Sequence, residues 1–162
     1  MKVIGVDPGL KVTGYGLMNV VSDVPYLIEA GTIRTASSLP LEQRLLELYK
    51  GFNDVVKEFR PDVLSIEELY SHYKHPRTAV IMGHARGVFF VIAGMMNIPV
   101  FSYSATRIKN SLTGTGHATK EQIARIICST LHLSTFSVSA DVTDAIAAAL
   151  CHINAVSHGG VL

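Results

Sequence analysis

Four carboxylates occupy positions from which they could bind a metal ion together: Asp7, Glu67, Asp141 and Asp144. The first two each end a short apolar run, at residues 3–6 and 63–66. The last two lie three residues apart at the start of an alanine-rich segment, so they share one face of a predicted helix. Acids that close apolar runs in separate segments indicate a shared site at one edge of a sheet.

Such a cluster predicts magnesium chemistry. Two unit charges about 4 Å apart repel each other by ~4 kcal/mol at an effective dielectric constant of about 20, so the cluster needs cations. Oxygen ligands without neighbouring Cys or clustered His favour Mg²⁺ or Mn²⁺ over Zn²⁺. Two such ions ~3.5–4 Å apart can stabilise both the attacking and the leaving oxygen of a phosphoryl displacement. The acids therefore indicate phosphodiester hydrolysis with up to two Mg²⁺ ions, for which Mn²⁺ can substitute.

Each acid also has a purely structural explanation. Asp7 could close a turn, because Asp-Pro-Gly is a strong turn sequence. Asp141 could be a charge at a helix N-terminus, worth ~0.3–1 kcal/mol. Asp144 is harder to explain in this way, because alanine and isoleucine crowd it. Glu67 is followed by Glu68, and since strand side chains alternate between faces, only one of the two is expected in the site.

Hydropathy patterns predict the elements that must position these acids. β-Branched, aromatic and apolar runs between turn signals predict strands at residues 1–7, 13–21, 26–33, 63–67 and 98–103. Apolar residues at helical spacing predict helices at residues 39–60, 78–97, 105–112, 119–131 and 140–156. Thr119 and Gln122 fit a capping box. This order predicts an α/β fold, a mixed five-stranded sheet (a three-stranded antiparallel meander plus two parallel strands) flanked by helices on both faces.

Length and composition predict one domain. A chain of 162 residues can build its own hydrophobic core, and no repeat or linker divides it. Residues 1–156 are expected to form this domain and residues 157–162 a frayed tail. The N-terminal sequence lacks the basic and apolar stretches of a secretory signal, and two cysteines are too few for a disulfide framework. A cytoplasmic location is therefore expected.

Basic residues are unevenly distributed along the chain. Between residues 69 and 140 there are seven lysines and arginines, whereas Glu121 is the single acid. Such an excess is typical of a surface that binds a polyanion. The alternative is an ordinary solvated surface whose counter-charges lie in the more acidic first 68 residues. Together with the metal-binding pattern, the excess favours nucleic acid.

Apolar residues cover nearly the whole circumference of the helix predicted at residues 78–97. His84 and Arg86 interrupt the run, so it lacks the ~20 continuous apolar residues of a membrane span. A helix of this kind is either deeply buried or buries its second face against a partner. We expect a homodimer formed across this helix.

These motifs together resemble a known family. Five stretches occur in the order and at the separations found in RuvC, the bacterial Holliday junction resolvase: VIGVDPG at 3–9, TGYG at 13–16, IE at 66–67, GHARG at 83–87 and ADVTDA at 140–145. The resemblance runs through nearly the whole chain. It implies a ribonuclease H-like fold and a Mg²⁺-dependent homodimer that nicks two opposed strands of a four-way DNA junction. It also implies coupling to the branch-migration proteins RuvA and RuvB.

The resemblance also implies roles for individual residues. It places the four acids at the catalytic positions. Our hypothesis is that Asp7 bridges two metal ions, that Glu67 binds one, and that Asp141 and Asp144 complete the set. Lys109 and Lys120 match lysines that contact DNA or assist near the scissile phosphate, where Lys120 would stabilise developing charge. Tyr70 matches an aromatic that stacks on bases near the crossover, an interaction worth ~1–3 kcal/mol per base. Two further basic residues on the following loop could hold phosphates: Lys74 and Arg77.

Three other functions fit parts of the sequence. Sugar kinases and actin-like ATPases also open with a strand ending in Asp-x-Gly, but they need two such domains around a nucleotide. The sequence does not distinguish a DNA junction nuclease from a nuclease of the same fold that acts on RNA, although the apolar helix and Tyr70 favour junctions. A non-catalytic junction-binding module is disfavoured because all four acids are present.

Overall fold

A five-stranded mixed sheet forms the centre of the structure, a computed structural model that describes residues 1–69, 76–133, 138–157 and 159. Its strands are β1 (Lys2–Asp7), β2 (Val12–Val21), β3 (Val24–Arg34), β4 (Val63–Glu67) and β5 (Val100–Tyr103). They lie in the order β3-β2-β1-β4-β5. The first three strands pair antiparallel, whereas β4 is parallel to β1 and β5 is parallel to β4. The predicted meander plus two parallel strands is confirmed.

Helices cover both faces of this sheet, as predicted. Within the described ranges they are α1 (Leu41–Phe59), α2 (Pro76–Met96), α3 (Ala105–Thr113), α4 (Lys120–Thr130) and α5 (Ala140–Ser157). Helices α1 and α2 enclose one buried core, in which Phe52 and Phe89 meet edge to face with ring centroids 4.8 Å apart. Helices α3, α4 and α5 enclose the other core on the opposite face.

The alternation of side chains along β1 decides which face carries Asp7. Ile4 and Val6 belong to the core under α1 and α2, whereas Val3 belongs to the core under α5. Since side chains alternate along a strand, Gly5 and Asp7 lie on the same face as Val3. Asp7 therefore lies at the end of β1 on the α5 side of the sheet.

Helix α5 lies unusually close to the sheet because glycines face it. A methyl group added at Gly5 would overlap the carbonyl oxygen of Ala145, and one added at Gly14 would overlap the carbonyl oxygen of Asp141. Gly14 pairs with Asp7 in the β1–β2 register, so this close contact holds the first turn of α5 beside the end of β1. The glycines thereby bring together acids that are far apart in the sequence.

Replacing Gly5 with alanine should destabilise the protein, because α5 would have to move away from the sheet. We expect a loss of ~1–3 kcal/mol in the free energy of unfolding, as for other overpacked cores. Urea denaturation followed by circular dichroism measures this loss. An unchanged unfolding midpoint would show that α5 does not need this close contact.

Helix α2 buries only one of its sides. Ala85, Phe89 and Ile92 are buried, whereas Val91 and Met95 are 57% and 62% exposed. By length and composition the segment Arg77–Met96 could cross a membrane, a criterion that core helices of soluble proteins also meet. In this chain the helix packs against α1 through one face, and large apolar side chains on its other face are exposed.

The ends of several elements differ from their predicted positions for local reasons. Helix α2 begins at Pro76 rather than residue 78, because proline is well suited to the first helical turn. Strand β3 begins at Val24 rather than residue 26, since Ser22 and Asp23 form a tight turn with positive φ angles. Helix α5 continues through residue 157, which was expected to fray. The predicted capping box of Thr119 and Gln122 is confirmed at the start of α4.

Candidate active site

Asp7 and Glu67 lie side by side at the ends of two parallel strands. Val6 pairs with Ile66 in the β1–β4 register, and the two acids are the next residues on their strands. Neighbouring strands lie ~4.8 Å apart. Two residues before Glu67, the hydroxyl of Ser65 donates a hydrogen bond of 2.7 Å to the carbonyl oxygen of Ala148 on α5. Both carboxylates therefore lie on the α5 face of the sheet.

Helix α5 and the start of α4 supply the remaining charges. Asp141 and Asp144 lie in the first turns of α5 and are both half-buried. Lys120 is the first residue of α4, and its Nζ lies 3.1 Å from Oδ2 of Asp144. This hydrogen bond is the main cause of the raised pKa of Lys120, to which the charges of Asp144, Asp7 and Asp141 also contribute.

The acids share one electrostatic field. Burial is the largest cause of a raised pKa at Asp7, and the charges of Asp144, Glu67 and Asp141 raise it as well while Lys120 lowers it, which together places this pKa at about 7. The pKa of Glu67 is raised first by burial and then by Asp144, and it is lowered by Lys109 and Lys120. The structure thus brings all four predicted acids together around Asp7, with two lysines at the border of the cluster.

Two adjoining clefts meet at Glu67 in the described part of the chain. One has a volume of ≈ 760 Å³ and is lined by Asp7, Glu67 and the start of α3. The other, of ≈ 240 Å³, is lined by Glu67, Asp144 and the two lysines Lys109 and Lys120. The acids are therefore reachable from outside, and cations border the same opening. An anionic backbone could be held here with a phosphate beside the carboxylates.

The donor set fits a hard divalent cation. Among the described residues, no three His, Cys, Asp or Glu side chains are gathered tightly enough to form a ready-made metal cage. Burial and the charges of the three neighbouring acids nevertheless raise the pKa of Asp7 to about 7, which Lys120 only partly opposes. A cation would relieve this repulsion, and carboxylate oxygens are the ligands that Mg²⁺ and Mn²⁺ prefer. Asp7, Glu67, Asp141 and Asp144 are the residues that would hold the ion.

Lys120→Gln should slow catalysis with little effect on folding. The ammonium group is held by Asp144 at 3.1 Å, but the side chain is 69% exposed, so the ion pair contributes less than ~1 kcal/mol to stability. Loss of a positioned cation at a developing charge typically costs ~10²–10³-fold in rate, and we expect the lower part of that range. Single-turnover phosphodiester cleavage measures the effect, with Lys120→Arg retaining more activity. Equal rates for Lys120→Gln and wild type would remove Lys120 from the reaction.

The turn that follows Asp7 is closed by a residue that the sequence analysis did not assign. The hydroxyl of Thr13 donates a hydrogen bond of 2.6 Å to the carbonyl oxygen of Gly9, and the amide of Gly9 donates to the same hydroxyl at 3.3 Å. Thr13 thus closes the turn that Asp7 would have closed in its purely structural explanation. The signal available in the sequence was a threonine four residues after Gly9 and next to Gly14.

The other predicted site residues are distributed more widely. Lys109 is half-buried on α3 and lines the smaller cleft. Arg77 is exposed in the first turn of α2. Tyr70 and Lys74 lie outside the described residues, so their predicted contacts with DNA stay predictions. Glu68 is exposed, and its charge raises the pKa of Arg86 against the larger lowering effect of burial.

Comparison with solved structures defines the class of fold. The structure of Thermus thermophilus RuvC superposes with a TM-score of 0.91 and 29% identity, covering 99% of this chain and 98% of that one. The same protein in complex with a Holliday junction substrate gives a TM-score of 0.91 and 28% identity, covering 99% of this chain and 97% of that one. The protein therefore has the ribonuclease H-like fold, with its acids at the ends of β1 and β4 and at the start of α5.

Sequence comparison then gives the family. The family model for crossover junction endodeoxyribonuclease RuvC matches residues 3–152. A curated crossover junction endodeoxyribonuclease RuvC from Rhodopirellula baltica is 41% identical over 149 residues, which are 92% of this chain and 84% of the relative. This chain belongs to the RuvC family, and the resemblance stated from its motifs is confirmed.

Proposed function

We propose that this chain is an endonuclease that resolves four-way DNA junctions by placing one nick in each of two opposed strands during recombination and repair. The observation that carries the proposal is the half-buried Asp7, surrounded by three further carboxylates in a chain of the RuvC family. Membership of this family implies a divalent metal. The oxygen-only donor set favours Mg²⁺, with up to two ions per subunit and with Mn²⁺ as a substitute.

The residues of the site divide the work of hydrolysis. Asp7 and Glu67 from the strands, with Asp141 and Asp144 from α5, would hold the cations. When bound, divalent cations would supply the Lewis acidity that activates a water molecule and stabilises the leaving 3′ oxygen. Asp7 must lose its proton before it can act as a ligand, because its pKa lies at about 7. Lys120, held at 3.1 Å by Asp144, lines the smaller cleft, where its positive charge would stabilise the negative charge that develops on a bound phosphate.

Basic residues near the site hold the junction. Lys109 and Lys120 border the cleft, and Arg77 lies exposed at the start of α2. We assign phosphate contacts to these three and to Lys74, and base stacking near the crossover to Tyr70. Stacking tolerates many base sequences, so recognition of this kind suits the shape of a junction more than its sequence.

The exposed face of α2 forms a homodimer in this proposal. Val80, Val91 and Met95 are 60%, 57% and 62% exposed, which is unusual for large apolar side chains on one helix. Methyl groups added at Gly87 or Gly94 would meet nothing within 4 Å, so a second helix can approach closely. An interface across α2 relates two active sites by a two-fold axis, which suits the near two-fold symmetry of a four-way junction.

The working enzyme is proposed as a soluble cytoplasmic protein. Residues 1–156 act as one nuclease domain. Coupling to the RuvA and RuvB branch-migration proteins supplies junctions at which the dimer can nick both strands. Such coupling fits a nuclease whose two sites must act on the same junction.

Cleavage of synthetic substrates tests the proposal directly. A four-way DNA junction, a linear DNA duplex of the same sequence and an RNA–DNA hybrid are each incubated with the protein in Mg²⁺ or in EDTA. We expect paired nicks with ligatable ends in the junction alone, and only in Mg²⁺. Equal cleavage of linear duplex would contradict junction selectivity, and preferred cleavage of the hybrid would favour the RNA nuclease. Binding of the junction without cleavage under all conditions would favour the non-catalytic module.

A further inference from the structure

Arg86 on helix α2 contacts the backbone of the strand that carries Glu67. Its Nη2 donates a hydrogen bond of 2.6 Å to the hydroxyl of Ser102 on β5, and its Nε donates to the carbonyl oxygen of Glu67 at 3.4 Å. The centre of its guanidinium group lies 4.6 Å from the centroid of the Phe90 ring. One side chain thus joins β4, β5 and α2 directly behind the acidic site.

Arg86 acts from the face of the sheet opposite the carboxylates. Ser102 pairs with Ile66, whose side chain belongs to the core under α1 and α2, whereas Glu67 is one residue further on and lies on the α5 face. The carbonyl group of Glu67 belongs to the peptide plane that follows its Cα atom. A donor fixed against that oxygen limits rotation of the plane, and it thereby limits the direction in which the Glu67 side chain leaves the strand.

The contacts of Arg86 are suited to a positioning role. A guanidinium group has its donors in a rigid fork, so two acceptors on different strands are held at a fixed separation. Stacking on the Phe90 ring, one helical turn away, limits the remaining freedom of the group. The cations that lower the pKa of the Glu67 carboxyl are Lys109 and Lys120, whereas the charge of Arg86 interacts with Glu68.

We propose that Arg86 is a positioning residue that orients Glu67 for metal binding, with Ser102 and Phe90 holding the guanidinium group in place. The inference rests on the proposed function, because Glu67 must be a ligand for its orientation to matter. Phe90 is 39% exposed at the border of the apolar face of α2. A second copy seated on that face would cover the ring, so dimer formation would further immobilise Arg86.

Arg86→Gln tests this role in the intact protein, with Arg86→Lys as the conservative variant. Lys50→Gln, which removes an exposed charge on α1, serves as the matched control. We expect Arg86→Gln to raise the Mg²⁺ concentration for half-maximal junction nicking by ~10-fold, as for other residues that orient metal ligands. Arg86→Lys should raise it by only about 3-fold, because an ammonium group keeps the charge and its donors but lacks the rigid fork that fixes the separation of the two acceptors. Junction affinity in EDTA should change by less than about 2-fold.

A second readout does not depend on activity. Mn²⁺ added without DNA should raise the melting temperature of the wild type and of Lys50→Gln, and raise that of Arg86→Gln much less at the same concentration. If Arg86 had only a structural role, Arg86→Gln would have a lower melting temperature in EDTA but the same half-saturating Mg²⁺ concentration as the wild type. That result would overturn the inference. If the wild type failed to nick junctions but Arg86→Gln still lost the Mn²⁺ effect, the proposed function would fail and the positioning role would remain.

Discussion

Asp7→Asn should abolish junction cleavage and at the same time stabilise the metal-free protein at pH 8. Burial and three neighbouring carboxylates raise the pKa of Asp7 to about 7. At pH 8 the Asp7 carboxylate is therefore charged, and its burial and its repulsion by the other acids destabilise the folded protein. An amide of the same shape removes that charge and with it a metal ligand. We expect cleavage to fall by more than about 10³-fold. Stability in EDTA should rise by ~1–3 kcal/mol, less than the full pKa shift implies because water reaches part of the site.

The same pKa shift sets the direction of the pH dependence. Between pH 3.8 and about 7 the folded state keeps a proton on Asp7 that the unfolded chain has released. The contribution of Asp7 to stability is therefore greatest below this window, and it is lost as the pH rises through it. Asp7→Asn should not show this loss. Because an ion must displace the same proton, the Mg²⁺ concentration needed for nicking by the wild type should rise below pH 7.

Urea denaturation in EDTA at pH 5, 6, 7 and 8, together with gel-shift and nicking assays, measures these effects. Asp54→Asn provides the matched control, because Asp54 is an exposed acid on α1. It should keep wild-type cleavage and the wild-type pH profile. Nicking by Asp7→Asn at the wild-type rate would refute the assignment of Asp7. A loss of stability in this variant at pH 8 would show that the acids do not repel one another in the folded protein.

Val91→Glu should separate the proposed homodimer into folded monomers. The side chain is 57% exposed, so a glutamate is tolerated by the isolated chain. In an interface formed by two copies of α2, the substitution places one carboxylate from each copy in an apolar contact surface and requires both to lose water. We expect the dimer dissociation constant to rise by more than about 10²-fold, which corresponds to ~2.7 kcal/mol.

Sedimentation at micromolar concentration and mapping of the nicks on a four-way junction test this expectation. The monomeric variant should no longer place paired nicks in one junction during a single binding event. Val24→Glu is the matched control, because this valine is 40% exposed at the turn between β2 and β3, away from α2. The proposed interface would be contradicted if the wild type were monomeric or if the Val91→Glu protein remained dimeric. The exposed face of α2 would then have another role.

Most of the fold could be predicted because strong local signals mark its elements. Apolar runs ending in Asp7 and Glu67 identify two strands, and the pattern of residues 39–60 between them predicts the crossover helix that makes these strands parallel. Parallel strands end at the same edge of a sheet, which brings the two acids together. The helical spacing of Asp141 and Asp144 gives their shared face. Predicting these features requires only the periodicities of strands and helices in the sequence.

The remaining features depend on distances between elements, which periodicity does not carry. The role of Gly14 becomes evident only in the folded protein, where α5 packs on β2 and Gly14 contacts the backbone of Asp141. Arg86 interrupts an apolar helix and gives no sign that it reaches Ser102 on a strand that follows it in sequence. The pKa of Asp7 likewise reflects burial, which a sequence does not state.

Titration of Mn²⁺ into the DNA-free protein at pH 8 tests most directly whether the four acids form one ion-binding site. Wild type, Glu67→Gln, Asp144→Asn and the control Asp54→Asn are compared by calorimetry. We expect Glu67→Gln and Asp144→Asn each to weaken the same binding event by at least ~10-fold, while the control binds as the wild type does. Wild-type Mn²⁺ affinity in either site variant would contradict a shared metal site formed by the strand ends and α5.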